Sequence, residues 1–152
     1  MKINKTIVLI IILLQTTVAI CQNKTDKKLF VTSFVKAVFF EKEKAKSIAE
    51  TYIYFEPIDN PKYSVEDRVK ILGKHLKKIK KEKGSLLNPT DFSVISYNDY
   101  KSDKAFFSKE TDKIFILVSN KNEPIMYFIL KNGRIFSFDY ITKGDESLFI
   151  TY

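Results

Sequence analysis

The spacing of apolar residues changes once along this chain, close to its middle. Up to residue 83, apolar residues recur every three or four positions, which is the period of a helix that packs on one side. After residue 91, branched and aromatic residues form short runs that are typical of strands. Helices followed by antiparallel strands predict an α+β fold, in which N-terminal helices pack on a C-terminal, curved β-meander.

Two helices, or one bent helix, are predicted before residue 57. The apolar stripe begins at Phe30, and Thr25 or Asp26 is suited to cap the N-terminus of this helix. A charged corner at residues 41–44 interrupts the stripe. Pro57 is expected to end the second segment, because the residue before a proline is disfavoured in helical geometry.

The third helix is predicted to run from a cap at Ser64 to a stop at Gly84. Its apolar stripe consists of Val65, Val69, Leu72, Leu76 and Ile79. Five lysines cover about a third of the circumference on the other side, and they form a candidate basic surface: Lys70, Lys74, Lys77, Lys78 and Lys81. Such a surface suits an acidic protein or anionic lipid, and it is equally typical of the solvated side of an amphipathic helix.

Six strands are predicted after this helix, at residues 91–97, 105–107, 113–119, 124–130, 134–141 and 147–152. Asn132-Gly133 is expected to join the fourth strand to the fifth as a two-residue hairpin. Within residues 134–141, the alternation of a strand places Phe136, Phe138 and Tyr140 on one face and Asp139 on the other.

Residues 1–21 are predicted to be a signal peptide. Lys2 and Lys5 precede an unbroken apolar run from Ile7 to Leu14, and this run is too short to span a bilayer. Residues 22–152 are then expected to form one exported domain, periplasmic or secreted. Nucleic acid is not an expected partner of a protein in those places.

Cys21, the only cysteine, has two interpretations. As the last residue of the leader it is removed, and the mature chain begins at Gln22 without a thiol; this is the favoured prediction. Alternatively, residues 18–21 resemble a lipobox, and Cys21 carries lipid that anchors the protein to a membrane, although Ile20 is bulkier than the residue usual before such a cysteine. Neither interpretation leaves a disulfide to support the fold.

The mature chain must therefore be held together by its core. Hydrophobic residues make up 45% of the sequence, which includes 13 Phe and 8 Tyr, and this composition argues against disorder. The formal net charge of +8 favours anionic neighbours in general without identifying one.

Residues 34–55, "FVKAVFFEKEKAKSIAETYIYF", resemble the opening of the nuclear-transport-factor-2-like superfamily of cone-shaped α+β domains, also called cystatin-like. The matching positions are Phe34, Ala37, Ala45, Ala49 and Tyr52. The Gly-Asp usual at the corner of that family is replaced here by charged residues. The resemblance implies an apolar cavity between helices and sheet, and many small exported members of that group have no assigned function.

Four residues are candidates to line such a pocket: Tyr127, Phe138, Asp139 and Tyr140. Enzymes that the chain resembles in this way, such as ketosteroid isomerase and scytalone dehydratase, use pocket acids with tyrosine or histidine partners. An acid on a partly apolar strand face is the residue type that burial turns into a base. No complete catalytic constellation of those enzymes can be matched to this sequence.

The sequence gives little support for a metal or cofactor site. His75, the only histidine, lies at the flank of the third helix and is interpreted as solvated. One histidine and one cysteine exclude a zinc cluster, and Asp145 with Glu146 supplies too few carboxylates for calcium. No metal, cofactor or catalytic residue is therefore predicted.

The sequence favours an exported, non-catalytic binding or interaction module for a small apolar ligand or a protein partner. Two alternatives stay open. One is an isomerase- or hydratase-type enzyme that uses Asp139 with a tyrosine. The other is an inhibitory or immunity-type protein whose basic surface covers an acidic protein.

Overall fold

Helices lead and antiparallel strands follow, as predicted for an α+β fold, in the computed structural model, which describes residues 24–57 and 62–151. The helices are α1 (24–39), α2 (Ala45–Tyr52) and α3 (Val65–Lys83). The strands are β1 (Phe92–Ser96), β2 (Ile114–Ser119), β3 (Pro124–Lys131), β4 (Arg134–Ser137), β5 (Tyr140–Lys143) and β6 (Glu146–Phe149). One sheet has the order β1-β2-β3-β4, and β5-β6 form a second.

The predicted cap of α1 is wrong, and the predicted corner after it is confirmed. Residue 24 is already helical, so Thr25 and Asp26 lie inside α1, whereas a capping residue has extended geometry. The helix stops at the charged corner, where Lys42 adopts a positive φ of 56°.

The end of α2 is set by a tertiary contact. The helix stops at Tyr52, before Pro57, because Ile53 turns to extended geometry with φ −94° and ψ 136°. Ile53 then forms a parallel bridge with Ile135 of β4. The prediction that Pro57 ends this helix is therefore wrong.

The predicted third helix is confirmed. The Ser64 hydroxyl accepts a hydrogen bond from the Asp67 amide at 3.2 Å, and α3 ends at Gly84, which opens a short 3-10 turn. Of the apolar stripe, the most deeply buried residues are Leu72, Leu76 and Ile79. Val65 at the start of the helix is 59% exposed, so the stripe is buried mainly from its middle onward.

The four-stranded sheet separates two apolar clusters. On one face the helices pack against alternate strand residues, and the Phe34 ring of α1 contacts the rings of Phe128 and Phe138. On the other face Phe107 and Phe149, which stack at a centroid distance of 4.6 Å, help to cover the sheet. The described chain therefore has three layers: the helices, the sheet, and a cover made by residues 97–107 with the β5-β6 hairpin.

The Asn132-Gly133 hairpin is confirmed, with φ angles of 51° and 75°. The single strand predicted at 134–141 is wrong, because β4 ends at Ser137 and β5 begins at Tyr140 in the other sheet. Hydrogen bonds hold the bend. The Ser137 hydroxyl, fully buried, contacts the carbonyl oxygens of Asp139 and Ile150, and the Ile150 amide donates to the Asp139 carbonyl at 2.9 Å.

Two other strand predictions also need correction. Residues 105–107 form no strand; the Phe107 ring fills the second cluster, and the Phe106 carbonyl accepts a hydrogen bond from the Ser147 amide at 2.7 Å. The last strand stops at Phe149, short of the predicted end, because the Ile150 amide is bonded to the bend after β4.

Candidate functional site

The bend after β4 leaves part of the edge of β3 open. β3 pairs with β2 along most of its length, but its ladder with β4 includes only Ile129, Leu130 and Lys131. Had residues 134–141 continued as one strand beyond the Ile129–Ser137 pair, they would have lain beside Ile125–Phe128. The chain instead turns away at Phe138, and the edge at 124–127 faces a cavity.

This cavity, called the edge cavity below, measures about 390 Å³ and is lined by Ile79, Glu82, Lys83, Asp103, Lys104, Ala105, Pro124, Ile125, Met126, Tyr127, Phe138, Asp139 and Tyr140. Its size falls within the range of ordinary ligand pockets. Four consecutive strand residues contribute to it, although neighbouring side chains of a strand point to opposite faces. The edge cavity therefore follows the edge of β3, between the end of α3 and residues 103–105.

All four residues predicted for a ligand pocket line the edge cavity: Tyr127, Phe138, Asp139 and Tyr140. Their arrangement differs from the prediction, because the bend separates residues expected on one face. Phe138 joins the helix-side cluster, whereas Phe136 and Tyr140 pack with the other cluster. Their role in binding a ligand stays a prediction.

The main chain of β3 presents hydrogen-bonding groups to this cavity. The Tyr97 amide donates to the Ile114 carbonyl at 2.9 Å, so Ile114 of β2 faces β1. Since these groups alternate between the two edges of a strand, those of Leu117 face β3, where its partner is Met126. The N–H and C=O groups of Tyr127 consequently point away from β2, towards the edge cavity. Ile125 lies at a register shift between the Leu117–Met126 and Val118–Pro124 pairs, where this alternation is interrupted.

These edge groups of Tyr127 lie in a buried residue without a strand partner. Tyr127 is 4% exposed. The β4 ladder stops at Ile129, and within residues 24–57 and 62–151 no main-chain hydrogen bond from outside the β2-β3 ladder reaches Tyr127. Most buried main-chain groups in proteins are paired, and leaving one unsatisfied costs about 1–3 kcal/mol. An incoming donor and acceptor at strand spacing would satisfy them.

Asp139 is held in place by His75 of α3. The His75 Nε2 lies 2.9 Å from Asp139 Oδ2, and Oδ1 accepts a hydrogen bond from the Tyr140 amide at 2.9 Å. The His75 side chain is only 13% exposed, and its ring lies 5.1 Å from that of Phe138. The interpretation of His75 as solvated is therefore wrong; its partner is 64 residues away, where no local pattern can reveal it.

Tyr127 is fixed by its phenol as well as by its strand. The hydroxyl accepts a hydrogen bond from the Ala105 amide at 2.9 Å, and its ring meets the Tyr140 ring at 5.2 Å. Burial raises the pKa of Tyr127 to about 12. The phenol is therefore neutral at physiological pH, and it can donate a proton to a hydrogen bond but cannot act as a base.

Charge around the edge cavity differs from that of the whole chain. Acidic Glu82, Asp103 and Asp139 line it together with basic Lys83 and Lys104. The Lys104 ammonium is already used, because it donates to the carbonyl oxygens of Tyr97 and Tyr100, each at 2.7 Å. The lining is thus locally acidic on a chain whose formal net charge is +8.

The predicted basic surface lies elsewhere. Its five lysines are exposed and none of them lines the edge cavity: Lys70, Lys74, Lys77, Lys78 and Lys81. One of them, Lys70, pairs with Asp67 at 3.3 Å, as expected of neighbours on a solvated helix. No described contact of this surface identifies a partner.

A second depression, of about 580 Å³, lies where α2 meets the start of α3. Its lining includes Phe55 and Val65, which flank residues 58–61 in the sequence, and the structure does not describe those four residues. No function is therefore proposed for this depression.

Residues 1–21, and with them Cys21, lie outside the described residues, so cleavage and lipidation stay predictions. Among residues 24–57 and 62–151, no helix is long and apolar enough to cross a membrane. The same part of the chain contains no group of three or more His, Cys, Asp or Glu placed to hold a metal ion.

The resemblance to the nuclear-transport-factor-2-like superfamily also stays a prediction. Two of the positions that carry it, Phe34 and Ala37, are buried in the helix-side cluster, which any helix packed on a sheet would require. Comparisons of this chain with models of protein families, with curated proteins and with solved structures return no match.

Proposed function

We propose that this protein is an exported, non-catalytic binding module whose ligand occupies the edge cavity. The observation that carries the proposal is the edge of β3 at Tyr127, a buried residue whose main-chain groups face a cavity of ligand size. Hydrogen-bonding groups that converge on a partly apolar cavity are the usual composition of a binding site.

The hydrogen bonds of the polar side chains in the cavity favour binding over catalysis. Both carboxylate oxygens of Asp139 have hydrogen-bond partners, and the Tyr127 phenol accepts a hydrogen bond while its pKa lies near 12. These hydrogen bonds engage the polar groups in holding the wall of the cavity, and the Tyr127 phenol is neutral at physiological pH.

A second candidate is an isomerase- or hydratase-type enzyme, and the His75–Asp139 hydrogen bond is the observation that favours it. In such an enzyme the histidine would orient the carboxylate, and Asp139→Asn would abolish turnover. An Asp139→Asn protein that binds its ligand with unchanged affinity and loses no activity in any assay would leave only the binding module.

The proposal of export, and the alternative of an inhibitory protein, have separate tests. Intact-mass measurement on the protein from its own cells should give a soluble chain that begins at Gln22; added acyl chains on Cys21 would make it a lipoprotein. Charge reversal at Lys74, Lys77 and Lys78 should leave ligand binding intact, whereas an inhibitory basic surface would lose its acidic partner.

The binding proposal is tested by NMR titration of the mature protein with three probes: 2-naphthol, cyclohexanol and the extended peptide described below. At least one probe is expected to shift the amide resonances of Ile79, Met126 and Phe138 together. Ala105→Leu, which adds bulk to the cavity wall, should lower the affinity for that probe at least about tenfold. Ala105→Ser, the control, should not. If no probe shifts the lining amides, the proposal fails.

A further inference from the structure

We infer that the natural ligand of the edge cavity is an extended, basic peptide segment of a partner protein, which pairs with β3 as an added strand. This inference rests on the proposed binding function and names the ligand class. Addition of a strand to an open sheet edge is an established mode of peptide recognition, in which main-chain hydrogen bonds supply affinity.

The main chain of β3 sets the first requirement for the ligand. Tyr127 directs one N–H and one C=O to the same side, away from β2. An extended peptide residue offers one donor and one acceptor that match this pair, whereas a compact apolar molecule leaves both groups unsatisfied. The location of these groups inside a cavity, with Tyr127 only 4% exposed, makes leaving them unsatisfied more costly.

The two walls set the second requirement. On the helix side the cavity is lined by Ile79, Met126 and Phe138, which belong to the helix-side cluster. Ala105 and Tyr140, from the other cluster, line the opposite side. Side chains of an added strand would point alternately to these two walls, so both faces of the peptide meet apolar surface.

Charge sets the third requirement. Glu82 and Asp103 are exposed at the cavity and have no ion-pair partner among the described residues. Lys104 is engaged by two carbonyl oxygens, which leaves Lys83 as the basic residue opposite these acids. A peptide with lysine or arginine at its ends is therefore favoured over an acidic one.

The test uses the mature chain and the probe peptide acetyl-Lys-Val-Thr-Val-Thr-Val-Lys-amide, followed by fluorescence anisotropy. Two further versions carry N-methyl groups on alternate residues, one version for each edge of the peptide. Only one edge of the peptide can face β3. One methylated version should therefore bind at least about tenfold more weakly than the unmethylated peptide, and the affinity of the other should stay within about threefold of it. Apolar adsorption would affect both versions alike.

A protein variant tests the site from the other side. Glu82→Gln combined with Asp103→Asn should weaken peptide binding several-fold at low salt. The matched control, Glu41→Gln with Asp112→Asn, changes two exposed carboxylates outside the cavity and should leave binding unchanged.

The outcomes separate this inference from the proposed function. If 2-naphthol or cyclohexanol binds in the edge cavity while the peptide does not, the binding module stands and the peptide ligand is rejected. Equal binding by a glutamate-ended peptide would reject the basic ligand. If none of the three probes shifts the lining amides, both proposals fall together.

Discussion

Tyr127 joins the sheet to the layer that covers it. Its main chain belongs to β3, and its ring packs with Phe107 and Tyr140 in the second cluster. Its phenol oxygen accepts a hydrogen bond from the Ala105 amide in the covering segment. Because it is 4% exposed, its ionised form is strongly disfavoured, and burial raises its pKa to about 12.

That pKa predicts a pH dependence of stability. An unfolded tyrosine titrates near pH 10, so the unfolded chain releases its proton first as pH rises, and stability present below about pH 10 is lost towards about pH 12. Between about pH 9 and about pH 11 the wild type should lose about 1.3 kcal/mol of unfolding free energy relative to Tyr127→Phe. Urea unfolding of both proteins at each pH measures this difference. If the unfolding free energies of the two proteins changed in parallel with pH, Tyr127 would ionise as it does in water.

The sequence suggested the four pocket residues but missed the partners that hold two of them. Asp139 was proposed from strand alternation and a family resemblance, yet its hydrogen bond to His75 depends on how α3 packs on the sheet. The main-chain groups of Tyr127 are available to a ligand only because its neighbouring strand is lost. Such information resides in tertiary pairing and not in local pattern.

At the scale of elements, the break between β4 and β5 creates the site. Alternating aromatic residues across 134–141 correctly indicated strand geometry, because β4 lies within that range and β5 begins in it. What the pattern lacks is the role of Ser137, whose buried hydroxyl contacts the main chain of Asp139 and Ile150. A serine within a strand more often indicates a solvated face, so the bend was predicted as continuous strand.

Ser137→Ala should therefore loosen the bend. The Asp139 amide loses its 3.4 Å contact and the Ile150 carbonyl loses a donor, so the unfolding free energy should fall by about 1–3 kcal/mol. Peptide affinity should fall too, because Phe138, Asp139 and Tyr140 all line the edge cavity. Ser93→Ala, the same change at an exposed position of β1, should cost less than about 0.5 kcal/mol in chemical denaturation. Equal losses in both variants would contradict this role of Ser137.

At the scale of the whole molecule, the order of helices and strands was predictable because it follows from the period of the apolar residues. The α3 helix and the Asn132-Gly133 hairpin came out as expected, since Ser64 and Gly133 act locally. The second layer over the sheet was not predicted. It depends on long-range packing of Phe107 and Phe149, and no spacing in the sequence relates these two rings.

The most direct test of the open edge is the rate of amide hydrogen exchange along β3, measured by NMR without ligand and then with the peptide. Met126 and Phe128 face β2, so their amides should be protected; that of Tyr127 should exchange at least about 100-fold faster although its side chain is buried. Peptide should slow this amide selectively. Equal protection at all three positions before peptide is added would contradict the open edge, and with it the proposed site.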